Sequence, residues 1–348
     1  MAGATPKLIK QLREMTGAGM LDCKNALNEC EGDLDKAVQH LREAGLGKAA
    51  KKAGNVAAEG LISVLINEDN TKGTILELNS QTDFVAKNEN FISLTKEITA
   101  HAQSNDIKDA ETLASSKING QEFGTFLNEK IATIGENLVA RKLAAVENQV
   151  VNGYVHATGK VGVLLAATCD EAAKEKTAAL LRNIAMHASA MKPTVISYTD
   201  LDSEFVEAEN RAIKAEIEAE NDELQRLGKP LKNIPDFVSK SQLTDEAIAN
   251  AKAKFEAELK EQGKPEKIWD KIIPGKIERY IQDNTQLDGR LALLSQAYVM
   301  DDKKTVEQAI AEVDSSIKLV EYIRFELGEG IEVEEEDFAA EVAKQMGK

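Results

Sequence analysis

Residues 60–104 read GLISVLINEDNTKGTILELNSQTDFVAKNENFISLTKEITAHAQS, and the patterning of this stretch decides the fold. GLISVLIN and TILELN are short runs rich in β-branched and apolar residues, and the turn-forming EDNTKG separates them, so together they spell a hairpin. FISLTKEITAHAQS then changes to the helical period, with apolar and polar residues on opposite faces. The same order returns from Gly153: GYVHAT and VGVLLAAT flank the turn GK, and TAALLRNIAMHASA is the helix. Both helices carry Ile-x-x-His-Ala, at Ile98–Ala102 and Ile184–Ala188. A duplicated hairpin-plus-helix unit predicts two related α+β subdomains.

Inside the first copy, NSQTDFVAKN (Asn79–Asn88) sets an acidic residue and a large aromatic, Asp83 and Phe84, where strand hands over to helix. The residues alone leave two readings. Asp83 is a first-turn charge on a helix dipole and Phe84 a buried ring, or the turn presents a charge and a wedge to another molecule.

Upstream, residues 5–45 form three short amphipathic stretches. Thr5 caps the first and Pro6 takes its first helical position, with Leu8, Leu12 and Met15 on one face. Met20, Cys23, Ala26 and Leu27 mark the second. Asp33 caps the third, whose face is Leu34, Ala37, Val38 and Leu41 and whose stop is Gly45. The pattern predicts a compact three-helix bundle with Cys23 as a small core residue. GLGKAAKKAGNVAAEG, residues 45–60, has no hydrophobic period and reads as a linker or frayed helix, locally basic through Lys48, Lys51 and Lys52.

Between the copies, a helix breaks at Gly135 and a strand-like run starts at Leu138; a helix C-cap explains the glycine. From about residue 199 to 280 the character changes to charged helices. One has Val206, Ile213, Ile217, Leu224 and Leu227 along a stripe, and another has Ile248, Ala251, Phe255 and Leu259. Prolines punctuate the region, and a helical hairpin whose faces pair with each other is expected. RLALLSQAYVMDDKKTVEQAIAEVDSSIKLVEYIRFEL then reads strand, turn, helix capped by Thr305, and strand, completing the second subdomain. The tail EEDFAAEVAKQMGK is a short amphipathic helix with Phe338, Val342 and Met346 on its face.

The chain has 348 residues, room for two or three domains, and a net charge of −16. Such acidity works against phosphate backbones, so direct nucleic-acid binding is not expected, while a basic protein surface stays open as a partner; the charge excludes more than it proves. Aromatic content is low, 4%, which suits a helix-rich protein. Cys23, Cys30 and Cys169 lack metal-site spacing and read as reduced thiols. No apolar run reaches the ~18 residues of a membrane span, and MAGATPKLIK lacks a signal-peptide core. A cytoplasmic location is expected. The four histidines, His40, His101, His156 and His187, have no metal-ligand spacing. No G-x-S-x-G, H-E-x-x-H or phosphate-loop motif is present. The chain is expected to have no catalytic residues, no metal, no cofactor and no nucleotide site of its own, and to act by binding.

LREMTGAGMLDCKNAL, KAAKKAGNVAAEG, NSQTDFVAKN, IGEN, IAMHASAMKP, YVM with KTV, and IRFELGEGIE with DFAAEVA run nearly end to end along the chain. In this order they resemble the bacterial elongation factor Ts family, the guanine-nucleotide exchange factors of elongation factor Tu. The resemblance implies an N-terminal module like ubiquitin-associated domains with its linker (1–54), a core N-subdomain (55–145) and a core C-subdomain (146–198 plus 281–327). It also implies an inserted helical hairpin or coiled coil (199–280) and a C-terminal module (328–348). The insertion is longer than in short members of the family.

It further implies that Thr82, Asp83, Phe84 and Val85 enter the G domain of elongation factor Tu. There the ring wedges between helices near the Mg²⁺ and phosphate site, and the carboxylate disturbs the metal's network. Lys24, Ile134 and Gly135 match further partner contacts, Val299 and Met300 match residues that pack on the partner's third domain, and the DFAAEVA helix docks on its G domain; His187 either faces the partner or, like its repeat-mate His101, serves the core or fold. A rival of another class is a helical adaptor or scaffold without exchange activity.

Overall fold

The structure, a computed structural model, describes residues 4–332. The chain forms two compact units. One combines the residues up to Leu164 with those from Ile323 on, and the other is Leu165–Tyr322. The expected C-terminal helix with Phe338, Val342 and Met346 lies outside the described residues.

Three helices open the first unit: α1 (Pro6–Thr16), α2 (Met20–Glu29) and α3 (Leu34–Lys52). The Thr5 hydroxyl accepts from the Leu8 N–H and the Asp33 carboxylate from the Lys36 N–H, each satisfying an orphan donor of a first turn. Leu12, Cys23, Ala26, Leu27 and Ala37 form the module's core, with Leu8, Leu34, Val38 and Leu41 packed around it. Met15 and Met20 share the helical period of that core but are more than half exposed. Three short helices bury only a narrow stripe, and these two side chains fall at its edge.

The expected stop at Gly45 does not occur, because α3 continues through it to Lys52. A Cβ at Gly45 would stand 3.1 Å from the Cβ of Ala132, so the glycine is where another helix passes closely. That helix is α7 (Phe123–Ile134), and Arg42 pairs with its Glu129 at 2.9 Å. Ala49 is buried in the core of the next layer. The GLGKAAK stretch is therefore a docked helix, and the unstructured link shortens to the residues after Lys52.

The first sheet contains β1 (Glu59–Ile66), β2 (Lys72–Ser80) and β5 (Val139–Glu147) in the order β1-β2-β5, all antiparallel. Between β2 and β5 run α4 (Asp83–Ala86), α5 (Glu89–Ser104), α6 (Ala110–Ala114), a small hairpin of β3 (Lys117–Ile118) and β4 (Gln121–Glu122), and α7. Leu76 and Leu78 of β2, Phe91, Leu94 and Ile98 of α5, and Phe126 and Ile131 of α7 build one core.

The second copy repeats this plan. Its strands β6 (Val150–Val155), β7 (Val161–Thr168) and β10 (Lys318–Glu326) form a sheet in the order β10-β7-β6. In both sheets the second hairpin strand is central and a late strand closes the other edge. After β7 come α8 (Lys174–Met191), the insertion, α12 (Gln286–Leu291), a small hairpin of β8 (Ala297–Tyr298) and β9 (Asp301–Thr305), and α13 (Val306–Val313). The architecture is α+β, helices with small antiparallel sheets.

The insertion holds α9 (Ser203–Arg226), α10 (Asp245–Glu261) and α11 (Trp269–Asp283). The paired faces belong to α10 and α11, where Phe255 meets Tyr280 edge-on and Lys276 pairs with Glu258 at 2.7 Å. The α9 stripe has a different partner. Val206 is buried with Val238 and Leu287, Ile213 packs against them, and Leu227 at the far end stays exposed.

Candidate functional site

Thr82 is the N-cap of α4, its hydroxyl accepting from the Val85 N–H at 3.4 Å. The four-residue helix is too short to stand alone, so its contacts define it. Ala86 is buried and Val85 packs on the core beneath. Phe84 points the other way and is 81% exposed, the most exposed large apolar side chain among the described residues. Asp83 and Lys87 pair at 2.6 Å across one turn. The Lys87 hydrogen bond holds the Asp83 carboxyl below its usual range, and Asp83 in turn raises the Lys87 ammonium. Of the two readings open for this stretch, the chain has the cap without the buried ring.

The structure brings IGEN against this turn. α7 ends at Ile134, and Gly135 is exposed in the left-handed conformation, φ 87°, with its N–H donating to the Ile131 carbonyl. The glycine is the helix C-cap that its sequence position suggests. It turns the chain so that Glu136 meets the strand–helix connector. One oxygen of the Glu136 carboxylate accepts from the Gln81 and Thr82 N–H groups, at 3.1 and 3.0 Å. The Thr82 hydroxyl donates to the other at 2.6 Å. Next to it, the Asn137 N–H donates to the Gln81 side chain at 2.8 Å, and the Asn137 amide donates to the Asn55 carbonyl at 2.8 Å.

A cleft of about 760 Å³ runs beside this assembly, between the N-terminal module and the core; Asp22, Asn25, Val85 and Ile134 are among its lining residues. Lys24 is exposed on the same helix as Asp22, next to the exposed Met20 and Leu21. Nothing in the sequence alone marks out Glu136, and the exposed Leu21 is marked only by its place off the apolar stripe of α2.

In the second unit, Val299 and Met300 form the tip between β8 and β9 and are about half exposed, 52% and 50%. His187 lies behind them with no exposed surface. Its Nε2 donates to the Gln296 side-chain oxygen at 3.0 Å, and its Nδ1 accepts from the Val299 N–H at 3.2 Å. Both ring nitrogens are used by the neutral form, and burial pushes the imidazole below its ordinary value, with the Gln296 bond acting the other way. His187, for which a partner-facing and a fold-holding role both stand open in the sequence, thus has both ring nitrogens bonded within the unit.

Among the described residues no group of three or more His, Cys, Asp or Glu side chains could hold a metal ion. No helix among them is long and apolar enough to cross a membrane.

The family described as Elongation factor TS matches residues 81–234 and 232–329. A protein of Aliarcobacter butzleri called Elongation factor Ts is 83% identical over 348 residues, covering 100% of both chains. Proteins of the same name from Campylobacter fetus and Helicobacter hepaticus are 57% and 52% identical. They cover 97% and 99% of this chain and 98% and 100% of their own. The described segment with the exposed Phe84 and its Glu136 clamp thus lies in a chain that belongs to the elongation factor Ts family.

Proposed function

We propose that this chain binds elongation factor Tu carrying GDP, inserts Thr82–Val85 beside the Mg²⁺ and phosphate site, and speeds the release of GDP and its exchange for GTP. The observation that carries this reading is Phe84, an aromatic ring left 81% exposed on a turn whose other side is anchored in the core. A free protein gains nothing from such a ring, whereas a partner offers it a pocket.

The physics of the step is displacement. A bound Mg²⁺ demands near-ideal octahedral geometry, so a small shift of the helices around it weakens the nucleotide. A large, stiff ring on an anchored turn can force that shift. The Asp83 carboxylate adds a charge that competes for the cation, its waters or nearby cationic donors. Lys24 with Met20 and Leu21, Ile134 with Gly135, and Val299 with Met300 supply further binding surface. His187 supports the last of these. No bond is made or broken in the chain, so it acts as an exchange factor by binding, and its setting is the cytoplasm.

Linkage requires the chain and the nucleotide to weaken each other's binding by one factor, and a coupling of ~3 kcal/mol is roughly 150-fold. The test loads elongation factor Tu with fluorescent GDP, adds excess unlabelled nucleotide and this chain, and follows release by stopped flow. Faster release with rising chain concentration is expected. Binding with unchanged release would favour the adaptor reading instead.

A further inference from the structure

We infer that Glu136 is a positioning residue for the wedge. It fixes the connector on which Phe84 is carried, and its effect on nucleotide release passes through that ring. This inference rests on the exchange reading.

The two copies supply the argument. In each, the residues just after the last helix reach the connector that follows the central strand. In the second copy the Ser316 hydroxyl accepts one bond, from the Asp170 N–H at 3.0 Å, and Ser316 is itself held by Asp314 at 2.7 Å. The acceptor there is a neutral hydroxyl, on a connector that goes on to a buried Ala173. In the first copy the corresponding place holds a carboxylate with three bonds, to Gln81 N–H, Thr82 N–H and the Thr82 hydroxyl. Hydrogen bonds to an ionised acceptor are roughly twice as strong as neutral ones. The added bonds fall on the residue that caps α4, two positions before Phe84.

On the far side of the ring, Val85 and Ala86 fix α4 to the core. Phe84 thus sits between two anchors, and Glu136 is the polar one. Gln81 extends the clamp, because its side chain accepts from both Asn137 and Asn55. An exposed four-residue turn held only by its apolar side would sample many ring directions. Restricting them in advance removes an ordering cost from binding.

The experiment compares the wild-type chain with Glu136→Ala, Phe84→Ala and the double variant, each at full length, in stopped-flow release of fluorescent GDP from elongation factor Tu. Urea unfolding and amide exchange at Thr82 accompany it. Glu136→Ala is expected to slow release about ten-fold and to raise Thr82 exchange, with no further loss in the Phe84→Ala background. Glu136→Gln, which keeps the shape and part of the acceptor capacity, is expected to restore most of the rate. If Glu136→Ala does not fold, Glu136→Ser, whose side chain is too short to reach the Gln81 and Thr82 donors, carries the same comparison.

Additive losses in the double variant, or normal release by Glu136→Ala with a loosened Thr82 amide, would overturn the positioning role while leaving the exchange reading intact. No acceleration by the wild-type chain would overturn the exchange reading, and this inference with it.

Discussion

The two copies of the hairpin-plus-helix unit put their apolar side chains at opposite places. In the first, the connector after the central strand carries the exposed Phe84, while the small hairpin turns at the polar Asn119–Gly120. In the second, the connector is Cys169–Ala173, with no large apolar side chain, and the small hairpin turns at the exposed Val299–Met300. The frame beneath is shared. His101 Nε2 meets the Ser116 hydroxyl at 3.1 Å, and His187 Nε2 donates to Gln296 at 3.0 Å. Each partner stands immediately before a small hairpin. Each also gives its carbonyl to the first residue of the following helix, Ser116 to Phe123 at 2.9 Å and Gln296 to Val306 at 3.0 Å. The repeated Ile-x-x-His-Ala is therefore a pin of the fold, and exposure of a ring or an apolar tip is not a by-product of it. The copies differ at the positions the frame leaves free, where a partner can be met.

The largest effect expected from this comparison is on stability. Phe91 is fully buried in the first copy's core, and Phe91→Ala should cost about 3–5 kcal/mol in urea unfolding. A much smaller loss would mean that the first copy has no tight core against which an exposed Phe84 stands out.

The pins come next. His187→Gln takes the ring donor from the buried Gln296 side-chain oxygen, and leaving a buried polar group unpaired costs about 1–3 kcal/mol. Its pH dependence has a definite sign. The folded imidazole titrates below its ordinary value of 6.5 because of burial. The unfolded chain therefore binds the proton first, and the contribution is complete above that value and lost as pH falls toward the folded one. Thermal unfolding between pH 7.5 and 5 should show a steeper loss for the wild-type chain than for His187→Gln. Equal slopes would remove His187 from the account of acid sensitivity.

The tip contributes least to the free protein. Replacing Val299 and Met300 by Ser should shift stability within ~0.5 kcal/mol and weaken elongation factor Tu binding about ten-fold. Titration calorimetry of the pair reads this directly, and unchanged affinity would return the tip to an ordinary exposed turn.

Much of this frame is legible in the chain. Alternation and helical period mark both hairpins and both long helices, and Thr5, Asp33 and Thr305 cap where their spacing places them. What the chain hides lies in contacts between distant residues. Gly45 reads as a stop, since nothing nearby shows that Ala132 passes against it. Glu136 is one carboxylate among many, and its bonds to Gln81 and Thr82 span 55 and 54 residues. Met15 and Met20 keep the core's spacing, yet exposure is settled by how much a small bundle can cover. Asp83–Phe84 was legible as a question, and the family resemblance favoured the wedge, but local sequence could not decide it because either outcome caps a helix.

The central claim is that Phe84 is held exposed for a partner, and the variant Phe84→Ala tests it in two measurements made side by side. Stopped-flow release of fluorescent GDP from elongation factor Tu should slow at least about ten-fold, while urea unfolding of the free variant should change by less than ~1 kcal/mol. Destabilisation of several kcal/mol, with normal release per folded molecule, would contradict the claim and make the ring a structural one.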